Sequence, residues 1–116
     1  MPDPILVLDR WDRVATLNPA AELLLGSTAS SASGRPAQAV LGPYPQLVEA
    51  LAEPELAATE IATGLGDEAR SWELRVTPLQ DGRGSRIGRL VVLHDVTAMR
   101  RAEAALLRHE RALAAA

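Results

Sequence analysis

Residues 90–103 read LVVLHDVTAMRRAE, and this stretch decides how the chain is organised. An apolar run stops at Asp95, and an arginine-rich pattern with helical spacing follows Thr97. We expect a β-strand over residues 87–93, a corner at Asp95-Val96-Thr97, and then a helix with Thr97 as its N-cap. Because both faces of the predicted strand are apolar, we expect a second protomer or a neighbouring helix to cover its outer face.

The composition is typical of one soluble domain. A chain of 116 residues with 47% hydrophobic content can bury a modest core. The net charge of −3 provides no basic field, so we expect no nucleic-acid partner. The absence of cysteine excludes disulfides and thiolate chemistry and fits a reducing compartment. No apolar run approaches the roughly 18 residues of a membrane span, so we expect a cytoplasmic fragment without membrane contact; an anchor elsewhere in a longer protein stays open.

Turn and cap residues divide the first quarter of the chain. Two apolar runs flank the polar residues 9–12, which predicts a β-hairpin. Asn18 and Pro19 then suit the cap and first position of a helix, because the asparagine oxygen can accept a free N–H of the first turn. Gly26 suits the end of that helix. We therefore expect about two helical turns, with Asn18 as the N-cap.

The middle of the chain predicts a loop and two further helical segments. Residues 27–33 are small and polar, which favours a loop. Residues 37–41 can form one helical turn, and Pro45 opens a longer helix. Beyond it, residues 57–63 and 72–77 alternate as strands. Together with the hairpin and the final strand, these elements predict an α+β fold in which helices lie on one face of an antiparallel sheet.

The C-terminal pattern predicts an exposed helical connector. Apolar residues repeat at alternating spacings of three and four, as in the seam of a two-stranded coiled coil. The alternative is an amphipathic helix that folds back on its own domain. We expect a domain over residues 1–97 and a connector over residues 98–116. The predicted seam residues are Met99, Ala102, Leu106, His109, Leu113 and Ala116.

Four segments together resemble a PAS sensory domain of the type found in bacterial histidine kinases and diguanylate cyclases. They are ILVLDRWDRVATLNPAAELLLG (5–26), GRP (34–36), WELRVTPLQDGRGSRIGRLVVLHDVT (72–97) and RRAEAAL (100–106). The resemblance implies a five-stranded antiparallel sheet in the order 2-1-5-4-3, with short helices on one face and a C-terminal signalling helix. It also implies that Asp95, Val96 and Thr97 set the angle of that helix and transmit the signal. The family often has Glu-Arg-Lys after the threonine, whereas this chain has Ala98-Met99-Arg100.

The resemblance further implies a small-molecule cavity between the helices and the sheet. Plain core packing is the alternative for most of the residues expected to face it. The candidate pocket residues are Leu23, Val40, Leu47, Val48, Leu51, Ile61, Trp72, Leu74 and Val76.

The cofactor is not predicted by the sequence, although two classes can be weighed. A light-sensing flavin domain forms its adduct with a cysteine, and this chain has none, so that photochemistry is excluded. Some PAS domains bind haem through a histidine. His94 is the only histidine in the predicted globular part, and a structural or dimer-facing role is its alternative. No metal site is predicted.

Two functions follow from these observations. The first is a sensory and regulatory module, a homodimer that responds to a ligand or partner and controls an effector domain further along the same chain. The second is a ligand-free homodimerisation or interaction domain. An enzyme would need converging carboxylates or a histidine–acid–nucleophile set, and the pattern offers neither, so we expect no catalysis by this fragment.

Overall fold

A computed structural model of the chain describes residues 2–115. Five strands and five α-helices follow one another, with a short 3-10 turn at Gly66–Glu68. The strands are β1 (Ile5–Asp9), β2 (Val14–Leu17), β3 (Ala58–Thr63), β4 (Arg70–Gln80) and β5 (Arg86–Asp95). The helices are α1 (Pro19–Leu25), α2 (Ala29–Ala32), α3 (Ala37–Val40), α4 (Pro45–Leu51) and α5 (Thr97–Ala115).

The five strands form one antiparallel sheet in the order β2-β1-β5-β4-β3. This confirms the predicted α+β fold and strand order. The last strand lies at the centre because its inward residues meet apolar partners on both sides: Val91 pairs with Leu6 and Leu93 pairs with Leu74. All four of these side chains are fully buried or nearly so, which places the core between β5 and the short helices.

Helix α1 begins and ends at the residues that the sequence indicates. The Asn18 side-chain oxygen accepts the N–H of Ala21 at 2.9 Å and also that of Ile5 at 2.9 Å, so one asparagine joins the helix to the first strand. Gly26 follows the helix with a φ of 66°, a conformation that glycine adopts without strain.

Leu23 does not face the interior, although it lines an open recess of about 410 Å³ beside α1, and its role as a pocket residue stays a prediction. The inward face of α1 is set by Ala21 and Leu25, which are four residues apart and buried. Leu23 lies midway between them and is therefore turned outward, with 87% of its surface exposed.

The predicted loop over residues 27–33 contains a short helix instead, α2. The Thr28 hydroxyl accepts the N–H of Ser31 at 3.1 Å, and the Glu22 carboxylate accepts that of Ala29 at 2.6 Å. Ala32 is fully buried against the core. Tertiary packing and a cap from the preceding helix therefore order a segment whose composition alone indicates a loop.

The backbones of β1 and β5 approach closely at Gly88. A Cβ atom built on Gly88 would lie 2.2 Å from the carbonyl oxygen of Leu8. This distance is shorter than any real Cβ contact, so only glycine fits there without moving one of the two strands.

Helix α5 projects away from the sheet. Its residues are exposed from Ala98 to Ala115, apart from the half-buried Arg100, and the chain as a whole measures 61 × 31 × 24 Å. The alternative that this helix folds back on its own domain is therefore wrong. Met99, Leu106 and Leu113 of the predicted seam are 47%, 59% and 64% exposed. Ala102 and His109 are exposed as well, and Ala116 lies outside the described residues.

Candidate functional site: the strand–helix corner and the interior face

Two residues of the corner between β5 and α5, Val96 and Thr97, are attached to the neighbouring strand β4 through the same residue, Ser71. The N–H of Val96 donates to the Ser71 carbonyl at 2.9 Å, and the Thr97 hydroxyl accepts the Ser71 N–H at 2.9 Å. Val96 and Thr97 are only 3% and 5% exposed. The beginning of α5 is therefore a buried, hydrogen-bonded part of the sheet.

Val96 occupies the N-cap position of the helix, since its carbonyl accepts the Arg100 N–H at 2.9 Å, and the side chain of Asp95 supplies the capping hydrogen bond. Thr97 is the first helical residue, and its N–H donates to Asp95 Oδ1 at 2.8 Å. The prediction that Thr97 is the N-cap is wrong because its hydroxyl binds β4 instead of its own helix. The helix thus begins one residue before the predicted connector, and the division into residues 1–97 and 98–116 stays a prediction.

The pKa of the Asp95 carboxyl lies below its ordinary value. Partial burial acts to raise this pKa, but hydrogen bonding by Thr97 and the positive charges of Arg70 and His94 together outweigh burial. The carboxylate therefore stays ionised at neutral pH, where it can accept the helix N–H and interact favourably with the positive end of the helix dipole.

Two arginines attach the first turns of α5 to the sheet from outside the corner. Arg100 holds Glu60 of β3 with a two-pronged contact, Nε to Oε1 at 2.7 Å and Nη2 to Oε2 at 3.1 Å. Its Nη1 donates to Glu103 at 2.9 Å, and Arg101 donates to the carbonyl of Ala69 at 3.1 Å. The pKa of Glu60 is lowered because Arg100 binds its charged form. These contacts orient α5 relative to the edge strand.

His94 lies on the face of the sheet opposite the helices. It pairs with Glu73 on the neighbouring strand β4, and its side chain is 60% exposed. Its Nδ1 lies 3.0 Å from Asp3 Oδ1. The hydrogen bond to Asp3 raises the pKa of His94. A histidine in this position does not face the interior, so its placement does not favour haem ligation. Within residues 2–115, no cluster of histidine, aspartate and glutamate side chains could hold a metal ion.

The other eight candidate pocket residues do not share one cavity. Val40, Leu47, Leu74 and Val76 are buried in the core, which is the packing alternative stated above. Val48 and Leu51 line a cavity of about 300 Å³ between the β1–β2 turn, α3, α4 and β5. Ile61 lines a shallow recess beside α4. Trp72 is half-buried, donates its Nε1–H to the Thr63 hydroxyl at 3.0 Å, and lines the open recess beside α1 together with Leu23. Their role as a pocket stays a prediction.

Sequence reasoning missed the buried charged residue that lines this cavity with Asp12, namely Arg89. Its side chain is 7% exposed, although it belongs to a strand that reads as an apolar run. The available signal was its position in the strand. Alternate residues of a strand lie on the same face, so Arg89 shares a face with Val91 and Leu93, and that face packs against the helices.

Comparison with known proteins identifies the family. A sequence model described as the PAS fold matches residues 1–101, and the chain belongs to this family. No curated protein matches the sequence. Helices able to cross a membrane are absent from the part of the chain that the structure describes, since none is long and apolar enough.

Solved structures share the fold at low sequence identity. The histidine kinase ThkA, determined in complex with the response regulator protein TrrA, is 21% identical with a TM-score of 0.70; the match covers 96% of this chain and 34% of that one. The PAS domain of BvgS from Bordetella pertussis is 24% identical with a TM-score of 0.62, covering 100% and 90% of the two chains. The Aer2 receptor from Vibrio cholerae, a dual PAS-haem oxygen sensor, is 21% identical with a TM-score of 0.56, covering 84% and 96%.

Proposed function

We propose that the chain is a sensory and regulatory module of a bacterial signal-transduction protein and is not itself an enzyme. A ligand or partner shifts the balance between two arrangements of the sheet and α5, and the corner Asp95-Val96-Thr97 passes this change to a downstream effector, a histidine kinase or diguanylate cyclase. A signal achieves this only to the extent that it binds the two arrangements with different affinity. Membership of the PAS family and the fold shared with histidine kinases support the proposal.

The observation that carries the proposal is the attachment of α5. The helix leaves the central strand of the sheet through two nearly buried residues, Val96 and Thr97, both hydrogen-bonded to Ser71. A change in the position of β4 relative to β5 must therefore alter the direction of α5. A helix joined to the domain by a flexible linker would not respond in this way.

The lack of cysteine allows a clean test with spin labels. We would place one label at Arg83, in the exposed β4–β5 turn, and one at Arg108 on α5, and measure the distribution of distances between them. Thr97→Val removes the acceptor for the Ser71 N–H and should broaden this distribution. The control is Thr77→Val, which alters an exposed threonine of β4 far from the corner. Equal distributions in the wild type and Thr97→Val would refute transmission through this corner.

Two exposed apolar surfaces support the homodimer in this proposal. One is the α5 seam, and the other is the outer patch, formed by the half-buried residues Ile5, Val7, Leu90 and Val92 on the open face of the sheet. Molar mass in solution, compared between the wild type and Leu106→Glu, tests whether the seam pairs two copies. A monomeric wild type would refute the dimer.

The ligand-free interaction domain is the second candidate, and tight core packing favours it. Val40, Leu47, Leu74 and Val76 fill space that a larger cavity would need. Native mass spectrometry and a visible absorption scan separate the two candidates. A co-purified small molecule supports sensing, whereas a dimer without one, whose melting temperature no added compound changes, supports the interaction domain.

A further inference from the structure

Arg89 is a buried cation with an unused hydrogen-bond donor. Its Nη2 donates to Asp12 Oδ1 at 2.8 Å and to the Leu51 carbonyl at 3.0 Å. Its Nη1 is buried, and among residues 2–115 nothing accepts a hydrogen bond from it. Buried polar atoms in native proteins almost always have a partner, because an unmet donor is costly. The free Nη1 therefore indicates a missing acceptor.

The residue that pairs with Arg89 is itself held in an unusual conformation. Asp12 has a φ of 59°, in the left-handed region, and it is the only residue other than glycine within the described range to do so. Its backbone is fixed on both sides, since its N–H donates to Asp9 at 3.1 Å and its carbonyl accepts the N–H of Ala37 at 2.9 Å. Aspartate is among the residues that adopt this conformation most readily, and here it belongs to the β1–β2 turn that presents Asp12 to Arg89.

Arg89 stands between two adjoining recesses. The larger is the 300 Å³ cavity described above, where Leu41, Val48 and Leu51 provide apolar walls. The smaller, of about 180 Å³, is lined by the acids Asp9 and Asp12 as well as by Arg10 and Arg86. Both are lined by Ala52, an exposed residue at the end of α4. The combination of apolar walls with a few convergent polar groups, at a volume of this order, is typical of small-molecule sites.

We propose that this Arg89 cleft binds a small organic monocarboxylate. Because Nη1 has almost no accessible surface, the guanidinium must turn slightly toward the cavity before the carboxylate can accept its hydrogen bond. A guanidinium N–H binds a carboxylate strongly because the bond is charge-assisted. Asp12 already faces the guanidinium, so a second single charge is tolerated better than the double charge of a phosphate. The apolar body of the ligand packs against Leu41, Val48 and Leu51. Whether this ligand is the signal depends on the proposed sensory function. The binding of the ligand does not depend on it.

Titration of the 116-residue protein tests the site, with butanoate, hexanoate and benzoate as probes. We expect saturable binding of at least one carboxylate, with hexan-1-ol and inorganic phosphate binding about tenfold more weakly or worse. Arg89→Met should raise the dissociation constant by about tenfold or more. The control is Arg83→Met, which changes an exposed arginine in the β4–β5 turn and should leave the affinity unchanged.

A second variant covers the case in which Arg89→Met does not fold. Ala52→Trp fills the entrance while leaving Arg89 in place, and it should also weaken binding. The proposal is overturned if no carboxylate binds, if hexan-1-ol or phosphate binds as well as hexanoate, or if neither variant changes the affinity.

The spin-label pair at Arg83 and Arg108 separates this proposal from the proposed function. Carboxylate binding that changes the distance supports both. Binding that leaves the distance unchanged supports the site and counts against its role as the sensor. Absence of binding overturns the site alone, because the effect of Thr97→Val on the distance is measured without any ligand.

Discussion

The two ends of strand β5 satisfy their polar groups to different extents. Near its beginning, the buried Arg89 keeps one nitrogen without a partner among the described residues, whereas just beyond its end the buried hydroxyl of Thr97 binds Ser71. Six residues separate Arg89 from Asp95, a distance of about 20 Å along a strand. One strand thus joins a region with an unmet donor, the proposed carboxylate site, to a region whose polar groups are satisfied, as the proposed relay requires.

The largest effect is expected at Gly88, which precedes Arg89 in β5. The backbones of β1 and β5 are in close contact here, so the two ends of β5 are expected to differ in the hydrogen bonds of their side chains and not in how firmly the backbone is held. Gly88→Ala places a Cβ against the Leu8 carbonyl and should lower the free energy of unfolding by about 3 kcal/mol or more, because one strand must move. Gly82→Ala is the control, since a Cβ there meets no atom within 4 Å. Denaturant unfolding of both variants makes the measurement, and equal stability would show that the two strands are not pressed together at this point.

The second effect tests the fixed end. Thr97→Val leaves the Ser71 N–H without its acceptor and should cost about 2 kcal/mol in the free energy of unfolding. Thr77→Val, at an exposed position on β4, should change this energy by less than about 0.5 kcal/mol. If the two valine variants are equally stable in chemical denaturation, the corner is not the rigid end of the strand.

The third effect tests the beginning of β5. Substitution of Arg89 removes a buried charge, but the loss of stability should be smaller than at Thr97. Arg89→Met should lower the free energy of unfolding by about 1 kcal/mol. It leaves the Leu51 carbonyl without its donor, but it also removes the unmet Nη1, and the other partner, Asp12, has a side chain that is 64% exposed and stays hydrated. A thermal unfolding series should therefore rank Arg89→Met above Thr97→Val in stability. The reverse order would contradict the comparison.

The smallest effect concerns the outer face. The folded-state pKa of His94 is raised above 6.5, first by its hydrogen bond to Asp3, and the charges of Glu73 and Asp95 act in the same direction. The stabilisation is therefore complete below about pH 6.5 and declines as the pH rises through the folded-state value. Unfolding measured from pH 5 to 9 should show this decline in the wild type and in His109→Gln, but not in His94→Gln. A decline that persists in His94→Gln would assign it to another group.

Much of the fold could be predicted because its signals are local. The alternation of Trp72, Leu74 and Val76 follows from the period of a strand, and the structure places all three on the inward face. Asn18 and Gly26 bracket α1 because cap residues act within one turn of the helix. The strand order came from the resemblance to a family, since no local pattern specifies which strands pair.

The rest depends on contacts between distant residues. Arg89 meets Asp12 and Leu51 at sequence separations of 77 and 38, so its burial and its partners cannot be inferred from its own segment. The outward orientation of Leu23 could not be predicted, because a seven-residue helix containing three consecutive leucines does not indicate which of them faces inward. Likewise, α2 required Glu22 of the preceding helix to supply a hydrogen bond.

The length of α5 has a mechanical consequence. Nineteen residues of helix span about 28 Å, so a tilt of about 10° at its base would displace its far end by about 5 Å. A movement of that size is close to one helical turn, enough to change which side chains meet in a neighbouring coiled segment. In the proposed relay, a slight adjustment beside Ser71 would therefore suffice, because the displacement grows with distance along the helix.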